Sequence, residues 1–328
     1  MKFVIAGLGS IGRRHLKNLL ALDQRDILLY RSNKSTLSDL HSYNFPVETN
    51  LEAVLDTKPD AVIISNPTAL HLEVAIPAAV AGCNIFMEKP LSNSMERIDL
   101  LKRALQTGKG KFFTAFQYRF HPGLKAAVEL LQEGTIGRPL SVNAHWGEYL
   151  PDWHPWEDYR VGYSARSDLG GGVLLTLCHP IDYLRWMLGE ISSVWAFTGR
   201  LGDLDLDVED TAEIGLRFTN GVLGSVHLDF NQRPTSHTIK IVGTEGTLHW
   251  NNFDGTVQLY RQNNKQWEKF PPPAGFERNH LFLAEMSHFL SLIQGESAPV
   301  CTLEDGVRAL EVTLAALRSG SEGVLVTI

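Results

Sequence analysis

The strongest constraint on this chain lies at its start. Lys2-Phe3-Val4-Ile5-Ala6 is a short β run, and Gly7-Leu8-Gly9-Ser10-Ile11-Gly12 follows it directly. Apolar residues at helical spacing come next, at Leu16, Leu19 and Leu20. A G-x-G-x-x-G hexad that follows a strand and opens a helix has a physical purpose. The glycines let the turn tighten and a pyrophosphate approach the backbone, and the helix N-terminus supplies N–H donors. Gly7, Gly9, Ser10, Ile11 and Gly12 are therefore expected to hold a dinucleotide.

The next strand is expected at Ile27–Tyr30. Such a strand commonly ends in an Asp or Glu that takes the ribose 2′-hydroxyl of NAD. Here the residues are Arg31-Ser32-Asn33-Lys34. A carboxylate would repel a 2′-phosphate, whereas Arg31 can bind one bidentately. NADP(H) is thus the favoured cofactor. The alternative is that Arg31 stacks on the adenine and NAD(H) is accepted as well.

Strands and helices continue to alternate. Helices are expected over Leu51–Asp56, Leu70–Ala81 and Met95–Gln106, and strands over Asp60–Ser65, Ile85–Met87 and Lys111–Phe116. Such alternation predicts a parallel, doubly wound sheet. Three strands end in polar punctuation: Ser65-Asn66-Pro67, Glu88-Lys89-Pro90 and Gln117. A bare Glu-Lys-Pro is ordinarily a turn with a surface ion pair. In an open α/β sheet, however, ligands bind beyond the carboxyl ends of the strands, and these residues fall on the same edge as the glycine loop. A cis Lys89–Pro90 bond is expected where the chain turns.

After about residue 120 the pattern changes, which divides the chain into residues 1–120 and 121–328. A connecting helix is expected over His121–Glu133, followed by an alternating strand at Leu140–Trp146. A polar and aromatic loop, Gly147–Leu169, carries Tyr149, Tyr159, Arg160 and Arg166, all candidates for substrate contact. Gly170-Gly171-Gly172 then opens an expected helix from Val173 to Leu188, on which Thr176, His179 and Tyr183 share one polar face. Later strands, from Val194 to Arg261, are expected to run as an antiparallel meander with one buried face. Two amphipathic helices (Asn279–Ile293, Leu303–Arg318) and a last strand at Gly323–Ile328 complete the chain.

Taken in order, these motifs resemble the Gfo/Idh/MocA family of NAD(P)-dependent oxidoreductases. The resemblance rests on Gly7–Gly12 with His15, Asn66-Pro67 with His71, Glu88-Lys89-Pro90 and Arg119-Phe120-His121-Pro122. It extends to the triple glycine with His179 and Asp182, Glu209-Asp210-Thr211 and Gly243-Thr244-Glu245-Gly246-Thr247. It implies an N-terminal Rossmann domain and a C-terminal α/β domain with a large, mostly antiparallel open sheet, which binds substrate and makes dimer or tetramer contacts. It implies Lys89 as a catalytic lysine beside the nicotinamide and His179 as the active-site histidine. Ser65, Asn66, Pro67, His71, Glu88, Lys89 and Gln117 would join the glycine loop, Arg31 and Ser32 at the cofactor. Lys89, Gln117, Tyr149, Tyr159, Arg160, Arg166, Thr176 and His179 would face a sugar, nucleotide sugar or cyclitol. The chain departs from the family in one place. Thr176 stands where many relatives carry an aspartate, and a threonine takes no proton at neutral pH. Two other activities within the family are a cofactor-binding regulator and an NAD-dependent glycosidase.

Composition narrows the partners. A net charge of −7 without any basic run argues against nucleic acid. No apolar run is long enough to span a membrane. Cys83, Cys178 and Cys301 are odd in number and widely spaced, which argues for a reducing compartment, the cytoplasm. The histidines and cysteines show no His-x-x-x-His or Cys-x-x-Cys spacing, so no metal is expected.

Overall fold

Buried β runs alternating with amphipathic helices build a parallel sheet in the first part of the chain. The computed structural model describes residues 1–31 and 44–328. Strands β1 (Lys2–Ala6), β2 (Asp26–Tyr30), β3 (Val47–Glu48), β4 (Ala61–Ile64), β5 (Asn84–Glu88) and β6 (Phe112–Ala115) pair in the order β3-β2-β1-β4-β5-β6. All of these pairings are parallel. The intervening helices are α1 (Ser10–Ala21), α2 (Leu51–Asp56), α3 (His71–Val80) and α4 (Ile98–Gly108). The strand order reverses between β1 and β4, the place where doubly wound sheets bind ligands. β4 and the middle of β5 are buried throughout, as a sheet covered on both faces requires.

The described chain divides into two compact units. One comprises Met1–Gln117, Asp168–Gly170 and Arg278–Leu310; the other comprises Tyr118–Ser167, Gly171–Glu277 and Glu311–Ile328. Helix α8 (Asn279–Gln294) thus belongs with the parallel sheet, although it follows the second-half strands in sequence. Its Phe289 meets Phe86 edge-on at 5.4 Å, and Phe86 stacks on Phe113 at 5.5 Å. Each of these fully buried rings contributes about 1.5–3 kcal/mol through burial.

The second unit is built on a nine-stranded sheet. Helix α5 (Pro122–Gln132) leads to β7 (Pro139–Tyr149), and α6 (Val173–Thr176) and α7 (His179–Leu188) precede β8 (Ile191–Gly199). There follow β9 (Thr211–Phe218), β10 (Leu223–Asp229), β11 (Asn231–Gly243), β12 (Gly246–Asn251), β13 (Val257–Arg261) and β14 (Gln266–Phe270). Helix α9 (Leu303–Glu322) and β15 (Val326–Thr327) close the chain. The order is β14-β13-β12-β11-β7-β10-β9-β8-β15. The sheet is mostly antiparallel, as expected, but it is not a plain meander. β7 is inserted between β10 and β11 and runs parallel to β10. The alternation of β9, buried at every second residue, leaves its outward side polar.

The helix expected from Val173 to Leu188 is two helices. α6 stops at Thr176, and α7 starts at His179 with Pro180 in its first turn. Proline has no N–H to continue a helix and clashes with the preceding turn, so the break falls just before it. Thr176 and His179 therefore sit on separate helices rather than on one face of a single helix.

Candidate active site

The glycine loop occupies the carboxyl end of β1 and leads into α1. A Cβ on Gly12 would lie 2.0 Å from the Gly7 carbonyl oxygen, so only glycine permits this close approach. The Ser65 hydroxyl, at the end of β4, donates to that same carbonyl at 2.9 Å. Gly9 caps α1 without a side-chain hydrogen bond, which leaves the first N–H groups of the helix to a ligand. These features fit a dinucleotide pyrophosphate. Arg31 lies at the end of β2, and its buried Nε has no hydrogen-bond partner among the described residues. Ser32 lies outside the described residues.

The other cofactor-side residues of the sequence reading gather at the same edge. Asn66, Glu88, Lys89 and Gln117 follow or close β4, β5 and β6. The Lys89–Pro90 bond is cis, as expected. His71 is fully buried, with its ring nitrogens 2.9 Å from the carbonyl oxygens of Pro90 and Asn66. It joins the ends of β4 and β5. Burial holds the His71 imidazole below its ordinary pKa, while the two carbonyls pull the other way.

Two residues beneath this edge carried no role in the sequence reading. His15, on α1, places Nε2 2.7 Å from Glu88 Oε1. Glu285, on α8, is fully buried, and neither carboxyl oxygen has a hydrogen-bond partner among the described residues. Burial, reinforced by the Glu88 carboxylate, pushes the Glu285 pKa well above the usual carboxylate range, so it is held neutral. His15 was visible as part of a motif. An acid on an amphipathic helix gives no sign of burial.

In the second unit the start of α6, just after the triple glycine, is held by Glu209. Its side chain accepts from Leu174 N at 3.1 Å and its backbone carbonyl accepts from Val173 N at 3.0 Å. Gly172 has φ of +100°, and a Cβ there would come within 2.4 Å of the Glu209 carboxylate. Burial raises the Glu209 pKa. His179 is 2% exposed and lies among aromatic rings, stacked on Trp146 at 5.6 Å and edge-on to Tyr118 at 5.0 Å. One turn on, Asp182 takes two hydrogen bonds from the Arg119 guanidinium, at 2.7 and 3.0 Å, with both side chains buried. Thr176 is likewise buried.

The loop residues expected at the substrate are less gathered. Arg160 binds Asp158 two residues earlier, and Tyr159 accepts from Asp205 N at 3.0 Å. Tyr149 lies under the Arg233 guanidinium at 4.0 Å. Arg166 is half-buried beside the triple glycine, and Gly171 N donates to its carbonyl at 2.9 Å.

A doubly wound sheet with a pyrophosphate-fitting loop at its switch point defines a dinucleotide-binding fold. Residues 1–116 match the oxidoreductase family with an NAD-binding Rossmann fold, and residues 124–249 match the GFO/IDH/MocA C-terminal domain. The chain belongs to the Gfo/Idh/MocA family of oxidoreductases. It is 28% identical to myo-inositol 2-dehydrogenase of Thermotoga maritima, over 98% of this chain and 97% of that one. It is 30% identical to 1,5-anhydro-D-fructose reductase of Ensifer adhaerens, over 83% and 80%. Among solved structures, levoglucosan dehydrogenase in complex with NADH and L-sorbose matches with a TM-score of 0.88 at 22% identity, covering 100% of this chain and 98% of that one. No helix among the described residues is long and apolar enough to cross a membrane. The three cysteines are free and buried.

Proposed function

We propose that this oxidoreductase interconverts a carbinol and a carbonyl on a sugar, nucleotide sugar or cyclitol, with Lys89 as the proton-transfer group. The observation that carries this reading is the position of Lys89 at the carboxyl end of β5, on the edge that holds the glycine loop. The relatives named for inositol and anhydrofructose support the substrate class. The nicotinamide, when bound, supplies or accepts the hydride. The α1 N-terminus, Gly7, Gly9, Ser10, Ile11 and Gly12 hold the pyrophosphate. Ser65, Asn66, Pro67, His71, Glu88 and Gln117 shape the edge that orients the ring.

Lys89 as a free amine accepts the hydroxyl proton, and as an ammonium it stabilises the developing alkoxide. His179 serves as a second acid/base, and Thr176 contributes a hydrogen bond but no proton. Tyr149, Tyr159, Arg160 and Arg166 contact the substrate. Arg31 favours NADP(H) over NAD(H). Residues 1–120, completed by Arg278–Leu310, act as the cofactor domain, and the remainder of residues 121–328 as the substrate and oligomerisation domain, in a cytoplasmic homodimer or homotetramer. Trp195 and Phe197, exposed on the outward face of β8, support subunit contacts there.

The test is Lys89→Ala assayed by NAD(P)H absorbance on a panel of aldoses, anhydrosugars and inositols. Turnover is expected to fall by about 10²–10⁴, with NAD(P)H fluorescence still reporting binding. Turnover within a few-fold of the unaltered enzyme would refute the assignment.

A further inference from the structure

The outward face of the large sheet assembles metal-ligand atoms that the chain order keeps apart. His145 on β7 and His227 on β10 are register partners, and Asp229 stands two residues beyond His227. These three side chains offer one ligand atom each, all within 4.8 Å of one another. His227 Nε2 is 2.8 Å from Asp229 Oδ2, and His145 Nε2 is 2.5 Å from Gln232 Oε1. Gln232 lies where the β11–β7 register shifts, between Asn231 and Ser236. The floor beneath is Gly147, the register partner of Asp229. A Cβ there would lie 2.2 Å from Gln232 Oε1 and 2.3 Å from Asp229 Oδ2. The missing side chain is what lets both oxygens come over the strand.

We propose that His145, His227 and Asp229, with Gln232 as a fourth oxygen donor, form a structural site for a divalent transition-metal ion of the Zn²⁺ class. Two imidazoles and two oxygens suit such an ion better than Mg²⁺ or Ca²⁺, which take oxygen ligands alone. His227 already has the partner that metal-binding histidines use. Its Nδ1 lies 2.6 Å from Glu213 Oε1, and a carboxylate accepting from Nδ1–H fixes Nε2 as the lone-pair nitrogen. The two imidazoles now stack, with centroids 4.5 Å apart and planes 14° from parallel. One ring must turn about its Cβ–Cγ bond for both lone pairs to meet one ion. Both residues are part-exposed rather than buried in the core. The bound ion would pin β7 to β10 and to the start of β11. The proposed hydride chemistry uses none of these residues, so the site stands or falls independently of it.

The test uses the full chain, stripped of metal by a chelator and titrated with Zn²⁺, with Co²⁺ as a spectroscopic probe. One saturable Zn²⁺ per chain is expected, together with a visible Co²⁺ band that Zn²⁺ abolishes. His227→Ala and Gly147→Ala should each weaken binding by roughly 100-fold or more, the second without removing a ligand. Glu213→Gln should weaken it by roughly 10–100-fold. Circular dichroism and NAD(P)H binding of each variant serve as the check on folding. Zn²⁺ should also raise the thermal midpoint of the unaltered protein but not of Gly147→Ala. Failure to take up stoichiometric metal, or equal uptake by His227→Ala, overturns the proposal.

Discussion

His15 Nε2 lies 2.7 Å from Glu88 Oε1, which ties the helix opened by the glycine loop to the strand end that carries Lys89. The pair is buried, with His15 fully so. Glu88→Ala leaves the imidazole buried without its partner and should cost about 1–3 kcal/mol of stability. Glu88→Gln keeps an acceptor and should recover most of that loss. Urea denaturation with NAD(P)H fluorescence checks both effects. If Glu88→Ala unfolds at the same urea concentration as the unaltered chain, the tie is not structural.

Arg31 stands where a carboxylate would select against a 2′-phosphate. Arg31→Asp should therefore raise KM for NADP⁺ by at least tenfold and leave that for NAD⁺ within a few-fold. Steady-state kinetics with both cofactors measures the ratio. An unchanged ratio would place Arg31 at the adenine instead.

Glu285 is a buried carboxyl held neutral, with its folded pKa well above its ordinary 4.5. The unfolded chain releases this proton near 4.5 while the folded chain keeps it. Stability from this group is therefore greatest below pH 4.5 and declines as pH rises toward the folded value. Glu285→Leu removes that decline. It should match or exceed the unaltered protein in stability, by about 1–3 kcal/mol near neutral pH. Thermal midpoints measured across the pH range report the difference, which should widen as pH rises.

His121 behaves in the opposite sense. Its Nδ1 caps α5 by accepting from Gly123 N at 3.0 Å, and its ring is packed against Trp250 and Phe276. Burial lowers its pKa from 6.5 to about 4. Above 6.5 both states are neutral. As pH falls from 6.5 toward 4 the unfolded chain gains the proton first, and stability drops by about 3 kcal/mol. His121→Asn retains a good cap and does not titrate, so its stability should fall less over this window. Chemical denaturation at pH 7 and pH 4.5 checks the contrast.

The parallel sheet was legible because β1, β4, β5 and β6 are buried runs flanked by helical periodicity, both local signals, whereas the two-residue edge strand β3 is exposed and left no such trace. The position of β7 was not, since its neighbours β10 and β11 lie some 80 residues further along the chain. β14 was missed because Gln266-Trp267-Glu268-Lys269-Phe270 is an exposed edge without a buried face. The break between Thr176 and His179 could have been read from Pro180, but the apolar spacing on either side argued for one helix. At the site, the strand-end residues were legible by position, whereas the partners that hold them were not. Glu209 beneath Gly172, and His15 beneath Glu88, come from segments whose spacing carries no trace of the contact. The His145–His227–Asp229 cluster was hidden for the same reason, because adjacent strands rather than adjacent residues bring it together.

The assignment of α8 to the parallel sheet's own unit has a consequence for synthesis. When the ribosome has finished β6, the chain has every strand of that sheet but not Phe289, whose ring packs on Phe86. At about 5–20 residues per second, some 8–35 seconds pass before that helix emerges. During this interval the nascent chain carries an unfinished apolar surface, a natural target for holding chaperones. A fragment ending near residue 120 should share that defect permanently, so the boundary that is cleanest in sequence is a poor place to cut the protein.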